Sequence, residues 1–240
     1  MSAVASTTPS VTLCLIGCGR MGRLRSLHFQ NNPRLNLVAV VDTWAKGGEH
    51  LAAQYSTASY YPTLLEALQS NSSSTPINAV WISTPTDQHA ALIELAAAHH
   101  LPIFTEKPVA EDAVDIAELF QVARTNNIPL CCGFQRRFDD SYQACGDTVR
   151  SGQIGKPTMS NVFFGDHPVP PLEFLKNGGC PFMDLSPHDI DYVRNTLQQE
   201  PIEIFASGCS STPELAAAHV LDNAFMFVKF SGAISHFFSF

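Results

Sequence analysis

A glycine-rich turn, Gly17-Cys18-Gly19-Arg20-Met21-Gly22, follows the apolar run Thr12–Ile16 and opens a helical segment. Glycines at that spacing allow a tight turn and let a pyrophosphate approach backbone N–H groups at a helix N-terminus. Alone, the turn is a weak signal. Asp42 strengthens it, because it lies 20 residues beyond Gly22 at the end of the second strand-like run, where a carboxylate can accept hydrogen bonds from both ribose hydroxyls. Its negative charge would repel a 2′-phosphate, and no arginine follows it in Thr43-Trp44-Ala45. The dinucleotide favoured is therefore NAD over NADP.

Three further groups of residues could carry chemistry. Ser83-Thr84-Pro85-Thr86-Asp87-Gln88-His89 and Thr105-Glu106-Lys107-Pro108 each follow a strand-like run, where the carboxyl ends of parallel strands face a ligand crevice. Thr-Pro and Lys-Pro are also ordinary loop dipeptides, so turn chemistry is the competing explanation. Asp184 and His188 stand four apart in Asp184-Leu185-Ser186-Pro187-His188-Asp189-Ile190-Asp191. On a helix that spacing brings both side chains to one face. A carboxylate beside an imidazole can orient it and favour its charged form, as a general base that removes a hydroxyl proton requires. The alternatives are helix capping by Asp184 or Ser186 and a histidine satisfied within the core.

The elements that must position these residues alternate from Val11 to Phe134. Val11–Ile16, Leu37–Val41, Asn78–Ser83, Pro102–Thr105 and Ile128–Gly133 are predicted as strands. Between them Arg20–Asn31, Ala45–Tyr55, Thr63–Gln69, Asp87–His99 and Glu111–Thr125 are predicted as crossover helices, which makes the sheet parallel. Beyond Phe134 a helix is expected over Arg136–Arg150, then a Gly/Pro-punctuated stretch, then strands near Ile202–Ser207 and Ala224–Phe230. The fold class is α/β: a doubly wound, Rossmann-type domain over 11–134 and an α+β domain over 135–240 with a mostly antiparallel sheet. Asn71–Thr75 reads as a small polar loop.

Composition narrows the function classes. With 45% hydrophobic and 15% charged residues the chain can bury a sizeable core. A net charge of −8 without a Lys/Arg cluster argues against nucleic acid or an anionic membrane as partner. No run reaches membrane-spanning length, and Met1–Ser10 has no basic region of the signal-peptide kind. The seven cysteines include no CxxC pair, so no metal is expected, and a reduced, cytoplasmic setting is the simplest expectation.

Taken together, these motifs resemble the glucose–fructose oxidoreductase/inositol dehydrogenase (Gfo/Idh/MocA) family. The resemblance rests on the Gly17–Gly22 turn, Ser83-Thr84-Pro85, Glu106-Lys107-Pro108, Gly133-Phe134-Gln135-Arg136-Arg137-Phe138, and Gly178-Gly179 leading to Asp184 and His188. The His-Asp-x-Asp run and Asp166-His167-Pro168 look most like the inositol dehydrogenase branch. The resemblance implies NAD-linked oxidation of a ring hydroxyl in a cyclic polyol or sugar. Lys107 would contact the reacting hydroxyl, His188 take its proton and Asp184 tune His188. Glu106 and Pro108 would fix the loop, with Lys107-Pro108 a candidate cis peptide, and Arg136 and Asp166 would serve the substrate. Gly17, Gly19, Arg20, Met21, Gly22, Asp42, Ser83, Thr84, Pro85, His89, Glu106, Lys107 and Arg136 would surround the cofactor.

Two departures accompany the resemblance. Cys180 stands where a third glycine is common, and the sequence ends at Phe240, where family members continue through several more strands. The expectation is an incomplete substrate domain whose sheet leaves an edge and an apolar face uncovered, favouring association through that sheet. The rival expectations are an oxidoreductase acting on another sugar derivative, a non-catalytic protein that binds NAD or a sugar for regulation, or a truncated product that folds poorly.

Overall fold

A computed structural model describes residues 11–70, 75–165, 170–176, 179–232 and 235–239. The chain divides into two compact units, Met1–Gly133 and Phe134–Phe240.

The first unit runs β1 (Val11–Ile16), α1 (Arg20–Gln30), β2 (Leu35–Val41), α2 (Ala45–Ala52), β3 (Ser59–Tyr61) and α3 (Leu64–Ser70). It continues through β4 (Ala79–Ile82), α4 (His89–Ala98), β5 (Ile103–Thr105), α5 (Ala113–Thr125) and β6 (Leu130–Cys132). Six parallel strands lie in the order β3-β2-β1-β4-β5-β6. The order reverses between β1 and β4, which is where doubly wound sheets open a ligand crevice. Strand alternation loads both faces: Cys14 and Ile16 enter one apolar cluster with Val80 and Ile93, while Leu13 and Leu15 enter the other with Phe29 and Leu51. That is why β1 reads as a continuous apolar run rather than an alternating one.

Helix starts follow local chemistry. The Asp112 carboxylate accepts from the Val114 N–H at the start of α5, and Thr63 exchanges hydrogen bonds with Glu66, its hydroxyl accepting from the Glu66 N–H and donating to the carboxylate, at the start of α3. The strand Ser59–Tyr61 is absent from the sequence-based reading. It is three residues long and lies at the sheet edge, too short to show a period.

The second unit contains α6 (Asp140–Arg150), β7 (Met159–Phe163), α7 (Leu172–Lys176), α8 (Pro181–Asp184), α9 (Ser186–Leu197), β8 (Pro201–Cys209), α10 (Pro213–Ala217), β9 (Asn223–Phe230) and β10 (Ser235–Ser239). Its sheet runs β7-β10-β9-β8, antiparallel in the β8–β9 and β9–β10 pairs and parallel between β10 and β7. Met226, Val228 and Phe230 of β9 pack with Val193 of α9.

The single helix expected over Arg136–Arg150 is instead a 3-10 turn, Gln135–Phe138, followed by α6. Asp139 breaks it: extended at φ −82° and ψ 128°, it turns its carboxylate back to accept from the N–H groups of Ser141 and Tyr142. Most of the polar loop Asn71–Thr75 lies outside the described residues.

Candidate functional site

Three strand ends of the first unit are stitched side by side at the switch point. Gly17 N–H donates to Val41 O (2.8 Å), Ser83 N–H to Ile16 O (2.7 Å) and Glu106 N–H to Ile82 O (3.0 Å). The glycine turn, the Ser83-Thr84-Pro85 loop and the Glu106-Lys107-Pro108 loop therefore leave the sheet as neighbours.

The three motif glycines serve different ends. Gly17 has φ +94°, and a Cβ on it would lie 2.7 Å from the Ser83 carbonyl, so no other residue fits there. A Cβ on Gly22 would meet Gly17 O at 1.9 Å; its glycine lets α1 pack against the turn. A Cβ on Gly19 would meet nothing within 4 Å. Neither backbone strain nor packing by the described residues requires glycine there, which leaves close approach of a ligand as its physical reason. The first turn of α1, with exposed Arg20 and half-buried Met21, contains no acidic residue, and the helix has no side-chain cap. Its N-terminal N–H groups and positive dipole end suit a pyrophosphate.

Asp42 closes the other side of the turn. One carboxylate oxygen accepts from Cys18 N–H (2.5 Å) and the other from Trp44 N–H (2.8 Å). Each oxygen has further lone-pair capacity for a ribose hydroxyl. Burial, and then the Asp42 charge, push the Cys18 thiol up to about 12. The hydroxyls of Ser83 and Thr84 are buried and have no hydrogen-bond partner among the described residues. Buried hydroxyls left that way are costly unless a ligand satisfies them. These residues fit a dinucleotide.

His89 and Glu106 are buried and bonded within the first unit. His89 is 1% exposed, with Nδ1 2.9 Å from Pro108 O and Nε2 3.0 Å from Thr84 O. It ties the Thr84 and Pro108 loops together, one ring nitrogen at each carbonyl. Glu106 forms a bidentate ion pair with Arg25 of α1, a residue that no motif singled out. Lys107 is half-buried on the loop between them, and the Lys107-Pro108 peptide is cis.

In the second unit Asp184 ends α8 and His188 lies in the first turn of α9. The helical path breaks at Leu185 between α8 and α9, although that residue keeps right-handed angles (φ −95°, ψ −50°) and Asp184 and His188 stay about one turn apart. Helix α9 has no side-chain cap, and the Ser186 hydroxyl donates to Phe182 O at 2.6 Å. His188 is half-buried, edge-on to Phe134 with centroids 6.4 Å apart.

Arg136 forms an ion pair with buried Asp189, its guanidinium over the rings of Tyr142 and Phe164. Burial raises the Asp189 carboxyl and Arg136 opposes that rise. Arg137 makes a second, bidentate pair with Asp191 (2.6 and 2.8 Å). The His-Asp-x-Asp run thus presents its two acids to consecutive arginines. Asp166 and Gly178 lie outside the described residues.

A parallel sheet in this order, with a glycine turn and an acid at the end of β2, defines a dinucleotide-binding Rossmann domain. Residues 11–134 match the Gfo/Idh/MocA oxidoreductase family, NAD-binding Rossmann fold, and 142–240 match that family's C-terminal domain. The chain belongs to the Gfo/Idh/MocA family. It is 33% identical to inositol 2-dehydrogenase of Rhizobium meliloti over 82% of this chain and 58% of that protein. It is 30% identical to scyllo-inositol 2-dehydrogenase (NAD(+)) of Bacillus subtilis over 93% of this chain and 65% of the relative. The crystal structure of a candidate myo-inositol dehydrogenase from Sinorhizobium meliloti 1021 superimposes with a TM-score of 0.85 at 29% identity, covering 96% of this chain and 68% of that one. The chain thus spans between 58% and 65% of the length of these two curated relatives.

Proposed function

We propose that the chain is an NAD-dependent dehydrogenase that oxidises a ring hydroxyl of a cyclic polyol, of the inositol type, to a ketone. The observation that carries this reading is the switch point itself, where Gly19 lies open and the Ser83 and Thr84 hydroxyls are buried without partners among the described residues. The names of the relatives supply the substrate class.

When bound, NAD accepts a hydride from the substrate carbon. The protein's part is to bind, orient and take the proton. The amides after Gly17 and Gly19 and the N-terminus of α1 would hold the pyrophosphate, with Arg20 and Met21 beside it, and Asp42 would hold the adenosine ribose. Ser83, Thr84 and Pro85 would serve the nicotinamide end. Lys107 donates to the reacting oxygen and stabilises charge that develops there. His188 takes the hydroxyl proton, and Asp184, one turn before it, orients the ring. Arg136 contributes polar contacts to the substrate. The alcohol loses a hydride and a proton, giving ketone, NADH and one released proton.

Two further readings concern assembly and location. The face of the second sheet turned away from α9 carries Phe205, Phe225 and Phe227, flanked on β7 by Met159 and Phe163. An exposed apolar face of that kind supports homo-oligomer formation through this sheet. A cytoplasmic location is consistent with cysteines that form no disulfide among the described residues, and no helix among those residues is long and apolar enough to cross a membrane.

NADH formation with myo-inositol and scyllo-inositol, against glucose and other pyranoses, tests the reading. Turnover with an inositol and NAD is the expected result. NAD binding without turnover on any polyol would reject it in favour of a non-catalytic NAD-binding protein.

A further inference from the structure

Lys107 is held by what its two neighbours touch. On one side, Arg25 of α1 reaches Glu106 through Nε to Oε1 (2.6 Å) and Nη2 to Oε2 (3.0 Å), with the side chains only 15% and 10% exposed. On the other, His89 contacts the Pro108 carbonyl. The guanidinium also lies 5.9 Å from the centre of the Trp81 ring, which stacks on Phe104 of β5. Little room remains for Glu106 to turn elsewhere, since even a Cβ on Gly133 would come within 3.1 Å of its Oε2.

A largely buried ion pair is a poor way to add stability, because desolvation of both charges offsets most of their attraction. Its strength is geometric. The planar fork of arginine fixes a carboxylate in two directions at once, which a lysine ammonium does not do. Here the carboxylate so fixed belongs to the residue next to Lys107, and the arginine lies on the helix whose N-terminus faces the glycine turn.

We propose that Arg25 is a positioning residue: from α1 it clamps Glu106 and thereby sets the backbone that presents Lys107 to the substrate. The role rests on the reading of Lys107 as the group that contacts the reacting hydroxyl. It predicts that loss of the fork loosens the loop and lowers turnover while dinucleotide affinity stays.

Arg25→Met and Arg25→Lys separate this from a merely structural role. Three quantities are measured on each purified variant: NADH affinity by titration, kcat and KM for inositol oxidation, and amide hydrogen exchange of the segment 103–109. Arg25→Met should exchange at least about tenfold faster in that segment, lose about tenfold or more in kcat, and keep NADH affinity within about threefold. Arg25→Lys keeps the charge without the fork, so stability should return and turnover only in part. Should Arg25→Met not fold, Arg25→Lys carries the test by itself. Full turnover in Arg25→Lys, or equal losses of NADH affinity and kcat, would overturn the proposal in favour of a simple staple. If the unaltered protein oxidises no polyol, the proposed function fails by that result, and the exchange measurement still decides whether Arg25 clamps the loop.

Discussion

The backbone N–H of Cys18 donates to the Asp42 carboxylate at 2.5 Å, tying the middle of the glycine turn to the end of β2. The acid proposed to select the dinucleotide is thus oriented before any ligand arrives, and its second oxygen is held by Trp44 N–H. Such preorganisation lowers the ordering cost on binding. Asp42→Ser should weaken NAD binding by about 1.5–3 kcal/mol, roughly ten- to a hundredfold, and narrow the gap to NADP. Calorimetric titration with both dinucleotides measures it. Tighter binding of NADP by the unaltered protein would contradict the assignment.

The same contact protects a thiol. Burial and the Asp42 charge raise the Cys18 thiol to about 12, so it stays protonated, and a protonated thiol is a weak nucleophile. Cys131, Cys145 and Cys209 are exposed. Iodoacetamide at about pH 8 should label these three and leave Cys18 intact, its rate climbing with pH as the thiolate fraction grows. Peptide mass spectrometry reads the sites. Rapid labelling of Cys18 at that pH would show that the turn opens in solution.

The first unit was legible in the sequence because its chemistry is local. Parallel strands buried on both faces read as unbroken apolar runs, and Gly17 to Gly22 followed by Asp42 names both the turn and the strand end that faces it. The contacts that matter most at the loops were not legible. Arg25 and Glu106 are 81 residues apart, and nothing in either segment signals that they meet. For His89 the sequence shows a histidine near a loop and not that both ring nitrogens end on carbonyls. In the second unit, Asp139 breaks the expected helix because its carboxylate offers a better partner to the Ser141 and Tyr142 N–H groups than continuation would. β7 alternates exposed and half-buried residues and pairs with β10, a distant segment, so its strand character depends on tertiary pairing.

The apolar sheet face gives a solution-state prediction. Phe205 is 62% exposed and Phe163 78%, at opposite edges of one face. Replacing both by aspartate (Phe163→Asp with Phe205→Asp) should abolish self-association without unfolding, since neither side chain is in the core. Sedimentation velocity is the measurement. An unaltered protein that is monomeric at all concentrations would remove the interface from this face.

His188 provides the decisive test of the proposed chemistry. It lies half-buried in the first turn of α9, one turn after Asp184, with its ring held edge-on to Phe134. Departure of a hydride leaves positive charge on the substrate carbon, so removing the hydroxyl proton in step avoids a high-energy cation. A histidine suits that task because its ordinary titration falls near neutral pH. Neither His188 nor Asp184 belongs to the Rossmann unit, so dinucleotide affinity should not depend on them. His188→Ala should therefore lower kcat by about 10²–10⁴-fold, the usual contribution of a general base, with NAD affinity nearly unchanged. Asp184→Asn should fall between this variant and the unaltered protein, since it keeps the shape of the orienting group and removes its charge. Kinetics and NADH titration on the same preparations decide the matter: near-normal turnover in His188→Ala would remove it as the base and leave a histidine with a packing role.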